Sequence, residues 1–148
     1  MNKAITSFII STLMLFVFSS CQKDSIPPVP SNSETSKMVQ TGTWRVSQYI
    51  DCGEDETYHF SGYTLTFDAL GVVTALNNST TITGSWNIAS GINQDEFNLH
   101  FGTAIPFDEI DDDCWHIVEN TPTKIRLEDE CGGKDDKDFL ILEKNQPN

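Results

Sequence analysis

Between Thr41 and Lys144 the apolar positions recur with a period of two almost everywhere, and no window of helical length carries an i, i+3, i+4 stripe. That pattern predicts short antiparallel strands, each with one buried face. Trp44, Val46 and Ile50 alternate with Arg45, Ser47 and Tyr49 in a first strand, and Tyr63, Leu65 and Phe67 alternate with Thr64 and Thr66 in a second. Phe60 is out of phase with the second set, and Gly62 between them is where a bulge would correct the parity. Asp68-Ala69-Leu70-Gly71 reads as a hairpin turn returning through Val72 to Leu76. Ile82, Gly84, Trp86 and Ile88 mark a fourth strand and Phe97, Leu99 and Phe101 a fifth. Trp115 to Val118, Ile125 to Leu127 and Phe139 to Leu142 complete the set. Eight short strands with hairpin-length connections predict an all-β domain, a small eight-stranded up-and-down antiparallel barrel whose closure removes exposed edges. A two-sheet sandwich is the competing arrangement.

Upstream the pattern changes. Lys3 is followed by an apolar run from Ala4 to Phe18, and Ser19-Ser20 are small residues ahead of Cys21, which together form an export signal. The run is shorter than the roughly 20 residues that a membrane-spanning helix needs. Phe18-Ser19-Ser20-Cys21 resembles the bacterial lipobox, which implies that residues 1–20 are a cleaved lipoprotein signal peptide and that Cys21 is the lipid-attachment site. An ordinary secretory signal with an incidental cysteine is the plainer alternative. Residues 21–40, with Pro27, Pro28 and Pro30 among Ser, Asn and Thr, read as a flexible tether extending about 3.1 Å per residue where it is polyproline-like. The barrel then spans 41–144, and 145–148 form a short tail. Gln22-Lys23-Asp24 resembles the acidic signal that carries some lipoproteins to the outer leaflet of the outer membrane, so an outer-membrane anchor is expected, with the surface and the periplasmic face as the two alternatives.

Charge narrows the partners. The chain has 22 acidic and 9 basic residues, a formal net charge of −13. Removing the signal peptide removes Lys3, its only charged residue, and makes the mature chain more negative still. Nucleic acid and anionic headgroups both need Lys and Arg to displace counterions, and so are excluded as partners. Membrane contact falls to the lipid anchor, while cations, basic proteins and neutral glycans remain compatible with a monomeric acidic domain.

In an up-and-down meander Cys52, Cys114 and Cys131 all lie at one end, with Cys131 as the common neighbour, so the disulfide is either Cys114 with Cys131 or Cys52 with Cys131. The same end gathers acid. Asp111, Asp112, Asp113, Asp135 and Asp136 are the donors that a calcium ion would use, against the simpler reading of a solvated acidic rim. No other cofactor is indicated. His59, His100 and His116 stand apart from any nucleophile elbow, zinc helix or phosphate loop, so a non-enzyme is expected, with a hydrolase of unrecognised site as a minor alternative.

An ordered series of motifs resembles the lipocalin-like lipoproteins of Gram-negative bacteria. It comprises Gly42-Thr43-Trp44, Asp55-Glu56-Thr57, Thr66-Phe67-Asp68 with Gly71, Gly84-Ser85-Trp86, Pro106-Phe107 leading to Asp112-Asp113-Cys114-Trp115, and Gly132-Gly133. The resemblance covers Thr41 to Lys144 and implies a lipocalin-like barrel that binds a small hydrophobic or amphipathic ligand. The lumen candidates, each on the apolar face of its strand, are Trp44, Val46, Leu65, Phe67, Trp86, Phe97, Leu99 and Trp115. It also implies an arginine lying against Trp44. Arg126 is the candidate, although alternation with Ile125 and Leu127 sets it on the opposite face. The rival function is a filled barrel acting through its acidic rim on a basic protein, a glycan or a cation. A cavity discriminates between the two.

Overall fold

The computed structural model describes residues 34–90, 94–111, 114–130 and 137–146. The expected signal peptide, Cys21, most of the expected tether, Asp112, Asp113, Cys131, Asp135 and Asp136 lie outside them. Nine strands form one antiparallel sheet: β1 (Trp44–Asp51), β2 (Glu54–Asp55), β3 (Thr64–Phe67), β4 (Val72–Asn77), β5 (Thr80–Ser90), β6 (Asp95–His100), β7 (Cys114–Thr121), β8 (Lys124–Glu130) and β9 (Lys137–Lys144). Each pairs with the next around the ring from β3 to β9, and β9 pairs back onto β1, closing an up-and-down barrel of eight strands. The remaining strand, β2, is a two-residue arm folded against the end of β1.

Closure is uneven. β1 and β9 share a register from Trp44↔Lys144 to Ile50↔Phe139, whereas β1 and β3 share the single pair Trp44↔Leu65. A 3-10 turn, Thr57–Phe60, takes the place of the missing ladder beside β1. There the Glu56 amide donates to the Tyr49 carbonyl at 3.0 Å and the Tyr49 amide donates to Thr57 Oγ1 at 2.9 Å. The parity change expected of a bulge at Gly62 is therefore made by this turn, which buries Phe60. A second phase change was not visible in the alternation. The β1–β9 register shifts between Val46 and Gln48, so Tyr49 rather than Ile50 enters the core, edge-on to Phe60 at 5.4 Å and to Trp115 at 6.4 Å.

The folded unit also begins earlier than residue 41. Residues 34–39, assigned to the tether by composition, form a short helix, α1 (Glu34–Val39), with Thr35, Ser36 and Val39 buried. Thr35 and Val39 stand at i and i+4 and so share a helical face, and Asn120 Nδ2 donates to Thr35 Oγ1 at 2.5 Å. Six residues are too few for a helical period to register.

Each tryptophan fixes a connecting segment. The Trp44 indole donates to the Val39 carbonyl at 2.8 Å, tying α1 across one end of the barrel. At that same end the Trp86 indole donates to the Asp68 carbonyl at 3.1 Å, holding the β3–β4 turn. At the opposite end the Trp115 indole donates to the Ile110 carbonyl at 3.3 Å, holding a second 3-10 turn, Phe107–Ile110, whose Phe107 and Ile110 are fully buried.

The two Gly-x-Trp motifs have different causes. A Cβ on Gly84 would stand 2.3 Å from the His100 carbonyl oxygen, a true close approach between β5 and the end of β6. Gly42 has open space around it, with nothing nearer than 3.9 Å, but sits at φ +79°. Nor does an arginine cover the first tryptophan. Arg126 faces outward, its guanidinium 5.0 Å from the Phe139 ring centroid and 2.9 Å from Glu128, while Lys144 Nζ lies 5.0 Å from the Trp44 ring centroid. Gly84→Ala is expected to lower the stability by about 1–3 kcal/mol, because the clash is with backbone that cannot rotate away. A urea midpoint equal to that of the unaltered protein would contradict the close approach.

Candidate functional site

The strand alternation does bring its lumen candidates together. Trp44, Leu65, Trp86, Phe97, Leu99 and Trp115 are 0% exposed, Phe67 4% and Val46 7%, and all eight belong to one contiguous core cluster. What faces them is other side chains. Phe67 meets Trp86 at 5.4 Å and Phe97 at 5.8 Å, both edge-on, and Trp86 stacks on Phe97 at 5.8 Å. Phe107 reaches in from its turn to meet Phe60 at 5.3 Å, Tyr63 at 5.0 Å and Phe101 at 4.5 Å. Tyr49, Phe107 and Ile110 are core members that the period-two reading missed, because two sit in a 3-10 turn and one follows a register shift.

On the outside, the seam where β1 and β3 barely pair opens into a groove of about 380 Å³. The rings of Tyr58 and Tyr63 give it apolar surface and the buried Val46 and Phe60 lie behind it, while Thr57, Ser61, Thr64 and Asn145 bring hydroxyl and amide groups. Tyr58 is 69% exposed. Arg45 brings a cation to the lining, held to Glu143 at 2.5 Å. Flat aromatic faces beside short hydrogen-bonding groups suit a ligand with both apolar and hydroxylated surface.

The acidic end has a more specific construction than its composition suggests. Asp111 is 6% exposed, and its Oδ1 accepts from the amide of Gly102 at 2.8 Å and from that of Phe101. This carboxylate thus anchors the segment leaving β6, while the four other calcium candidates lie outside the described residues. Asp138 is likewise buried, and its Oδ1 accepts from the Cys52 amide at 2.6 Å. Cys52 is disulfide-bonded, which engages the cysteine that a Cys114–Cys131 pairing would leave out. Asp55 is held below the usual carboxylate range by hydrogen bonds from Thr57, the side chain first and the backbone second.

The three histidines have separate settings. His100 is in β6 and His116 in β7, the latter with a buried Nδ1 that has no hydrogen-bond partner among the described residues. His59, in the first 3-10 turn, directs Nδ1 to Glu109 Oε2 at 2.8 Å and lies 3.8 Å from Glu56 Oε2. Fifty positions separate His59 from Glu109, and no local spacing could have linked them.

The sequence matches no protein-family model and no curated protein. Among solved structures it is similar to a DUF4847 family protein from Bacteroides vulgatus ATCC 8482, at 18% identity and TM-score 0.51, over 76% of this chain and 98% of that one. It is also similar to a lipocalin-like protein from Bacteroides uniformis ATCC 8492, at 18% identity and TM-score 0.47, over 72% of this chain and 98% of that one. A third, an uncharacterized protein from Bacteroides eggerthii DSM 20697, has 12% identity and TM-score 0.42, over 70% of this chain and 98% of that one. The first likeness is one of fold. The fold is a closed, eight-stranded up-and-down antiparallel barrel.

If the eight interior side chains are close-packed core, truncating one opens a cavity that its neighbours cannot fill. Leu65→Ala and Leu99→Ala are each expected to cost about 2–5 kcal/mol in denaturant unfolding. Losses below about 1 kcal/mol at both positions would show a roomy lumen instead.

Proposed function

We propose that this protein is a non-enzymatic, lipid-anchored binding module whose barrel is filled by its own side chains and whose ligand contact lies outside, in the seam groove beside the first 3-10 turn. The observation that carries this reading is the burial of all eight lumen candidates in one cluster, with α1 and the Phe107–Ile110 turn held over the two ends by indole hydrogen bonds. In a typical small-molecule barrel the apolar strand faces line space. Here they meet one another. The groove retains what the interior lacks, an exposed aromatic ring next to hydroxyl and amide groups. A small amphipathic ligand, with a sugar-like or headgroup-like polar part, fits that chemistry.

The proposed anchor gives the domain a direction. Residues 22–33 separate Cys21 from α1, and α1 belongs to the end of the barrel that also holds the β3–β4 and β7–β8 turns. A chain tethered there presents its opposite, acidic end to the medium. In a Gram-negative envelope the Gln22-Lys23-Asp24 segment favours the outer leaflet of the outer membrane as the place of display.

Two experiments test the reading. Incorporation of labelled palmitate into the protein in its own cells is expected for the natural sequence and absent for Cys21→Ala; equal labelling of both would remove the anchor. Native mass spectrometry on the chain from Ser25 onward, which keeps every strand, is expected to show a bound mass that leaves on dialysis and is lost in Tyr58→Ala. A stoichiometric mass that survives dialysis and departs only on denaturation would place the ligand inside the barrel and overturn the filled-barrel reading.

A further inference from the structure

We propose that Glu56, His59 and Glu109 form a binding site for a divalent transition cation of the zinc class, a reading that does not rest on the groove. The three side chains come from both 3-10 turns: Glu56 precedes the first, His59 lies in it, and Glu109 lies in the second. Their ligating atoms all lie within 4.8 Å of one another. His59 Nδ1 is 2.8 Å from Glu109 Oε2 and 3.8 Å from Glu56 Oε2. Zinc holds nitrogen and carboxylate oxygen at about 2.0–2.2 Å in a tetrahedron, which puts neighbouring donors about 3.3 Å apart. The separations of 2.8 and 3.8 Å bracket that edge, so a small adjustment of side chains seats a cation between the three donors.

The backbone that carries them is already fixed. The Glu56 amide donates to the Tyr49 carbonyl at 3.0 Å, the His59 amide to the Glu56 carbonyl at 3.1 Å, and the Tyr49 hydroxyl to the Glu109 carbonyl at 3.0 Å. Phe60 against Phe107 at 5.3 Å locks one turn to the other. A site held on such elements loses little entropy when it binds.

Without a cation the arrangement is poorly matched. A single ring nitrogen faces two carboxylates, and one N–H can serve only one of them. Among the described residues neither Glu56 nor Glu109 forms an ion pair with a lysine or arginine; His59 is the partner of both. All three side chains are partly buried, between 27% and 31% exposed, so solvent screens the two carboxylates incompletely. A divalent cation satisfies both charges and the nitrogen together, and leaves a fourth position for water. The mixed nitrogen and oxygen donor set favours a zinc-class ion over calcium, which takes six to eight oxygens. Bound there, the ion would tie the turn beside the groove to the turn that closes the acidic end.

The test uses the purified protein stripped with chelator and titrated with Co²⁺, read by its visible absorption, and with Zn²⁺, read by calorimetry and by the rise in unfolding temperature. One equivalent of each metal is expected to bind. His59→Ala and Glu109→Gln should each weaken binding by at least roughly tenfold, the loss that even outer-shell changes produce. Should either variant fold poorly, Glu56→Gln serves in its place, since among the described residues His59 is the only ion-pair partner of the Glu56 carboxylate and the Glu56 backbone bonds of the turn do not involve its side chain. Absence of binding, or binding of equal strength in every variant, would overturn the site. So would a response to calcium alone, which would move the cation to the aspartate-rich loops.

Discussion

The structure depends on burying three indole N–H groups. A tryptophan ring contributes more apolar area than any other side chain, but an indole left without an acceptor in a dry interior costs about 1–3 kcal/mol. In this barrel each indole finds a carbonyl on a connecting segment rather than on a strand: Val39 at the end of α1, Asp68 at the β3–β4 turn and Ile110 at the end of the Phe107–Ile110 turn. Core packing and end closure are therefore one set of interactions. A barrel with few residues per strand, too small to be stable around an empty lumen, gains apolar contacts from the segments that cover it.

In the proposed reading, this construction directs ligand contact to the exterior. The strand faces that would line a ligand cavity are engaged with one another, whereas the β1–β3 seam, with its single residue pair, is where the surface is indented and aromatic. The same 3-10 turn that substitutes for the missing ladder contributes Tyr58 to the groove and His59 to the cation-binding cluster. One irregular segment, where β3 barely pairs with β1, thus contributes side chains to both proposed sites. With the proposed anchor at the α1 end, the acidic end would point outward.

Much of the architecture was legible because period two is a strong signal when one face of every strand is buried. The eight strands, their order, the Asp68–Gly71 turn and the eight buried strand-face residues followed from alternation alone. What escaped were the places where alternation carries no information. A one-residue register shift exchanged Tyr49 for Ile50. A helix of six residues hid in a segment whose composition reads as linker. The second 3-10 turn carried Phe107 and Ile110 inward without any strand period. Candidate chemistry was less legible still, since the pairing of His59 with Glu109 is created by the packing of Phe60 on Phe107. Neither a calcium site nor a solvated rim anticipates that Asp111 and Asp138 are buried acceptors for backbone amides. The cation on Trp44 also came from an unexpected place, Lys144 rather than Arg126, because alternation sets Arg126 outward while β9 ends beside Trp44.

Hydrogen exchange of the three indole N–H protons, followed by NMR on the chain from Ser25 onward, tests the central claim most directly. If the interior is filled and both ends are held by these bonds, the Trp44 and Trp115 protons exchange only as the whole domain unfolds, and the Trp86 proton is protected along with them. Exchange of Trp44 or Trp115 near the rate of an exposed indole, in protein that remains folded, would show an open end and a solvent-filled lumen.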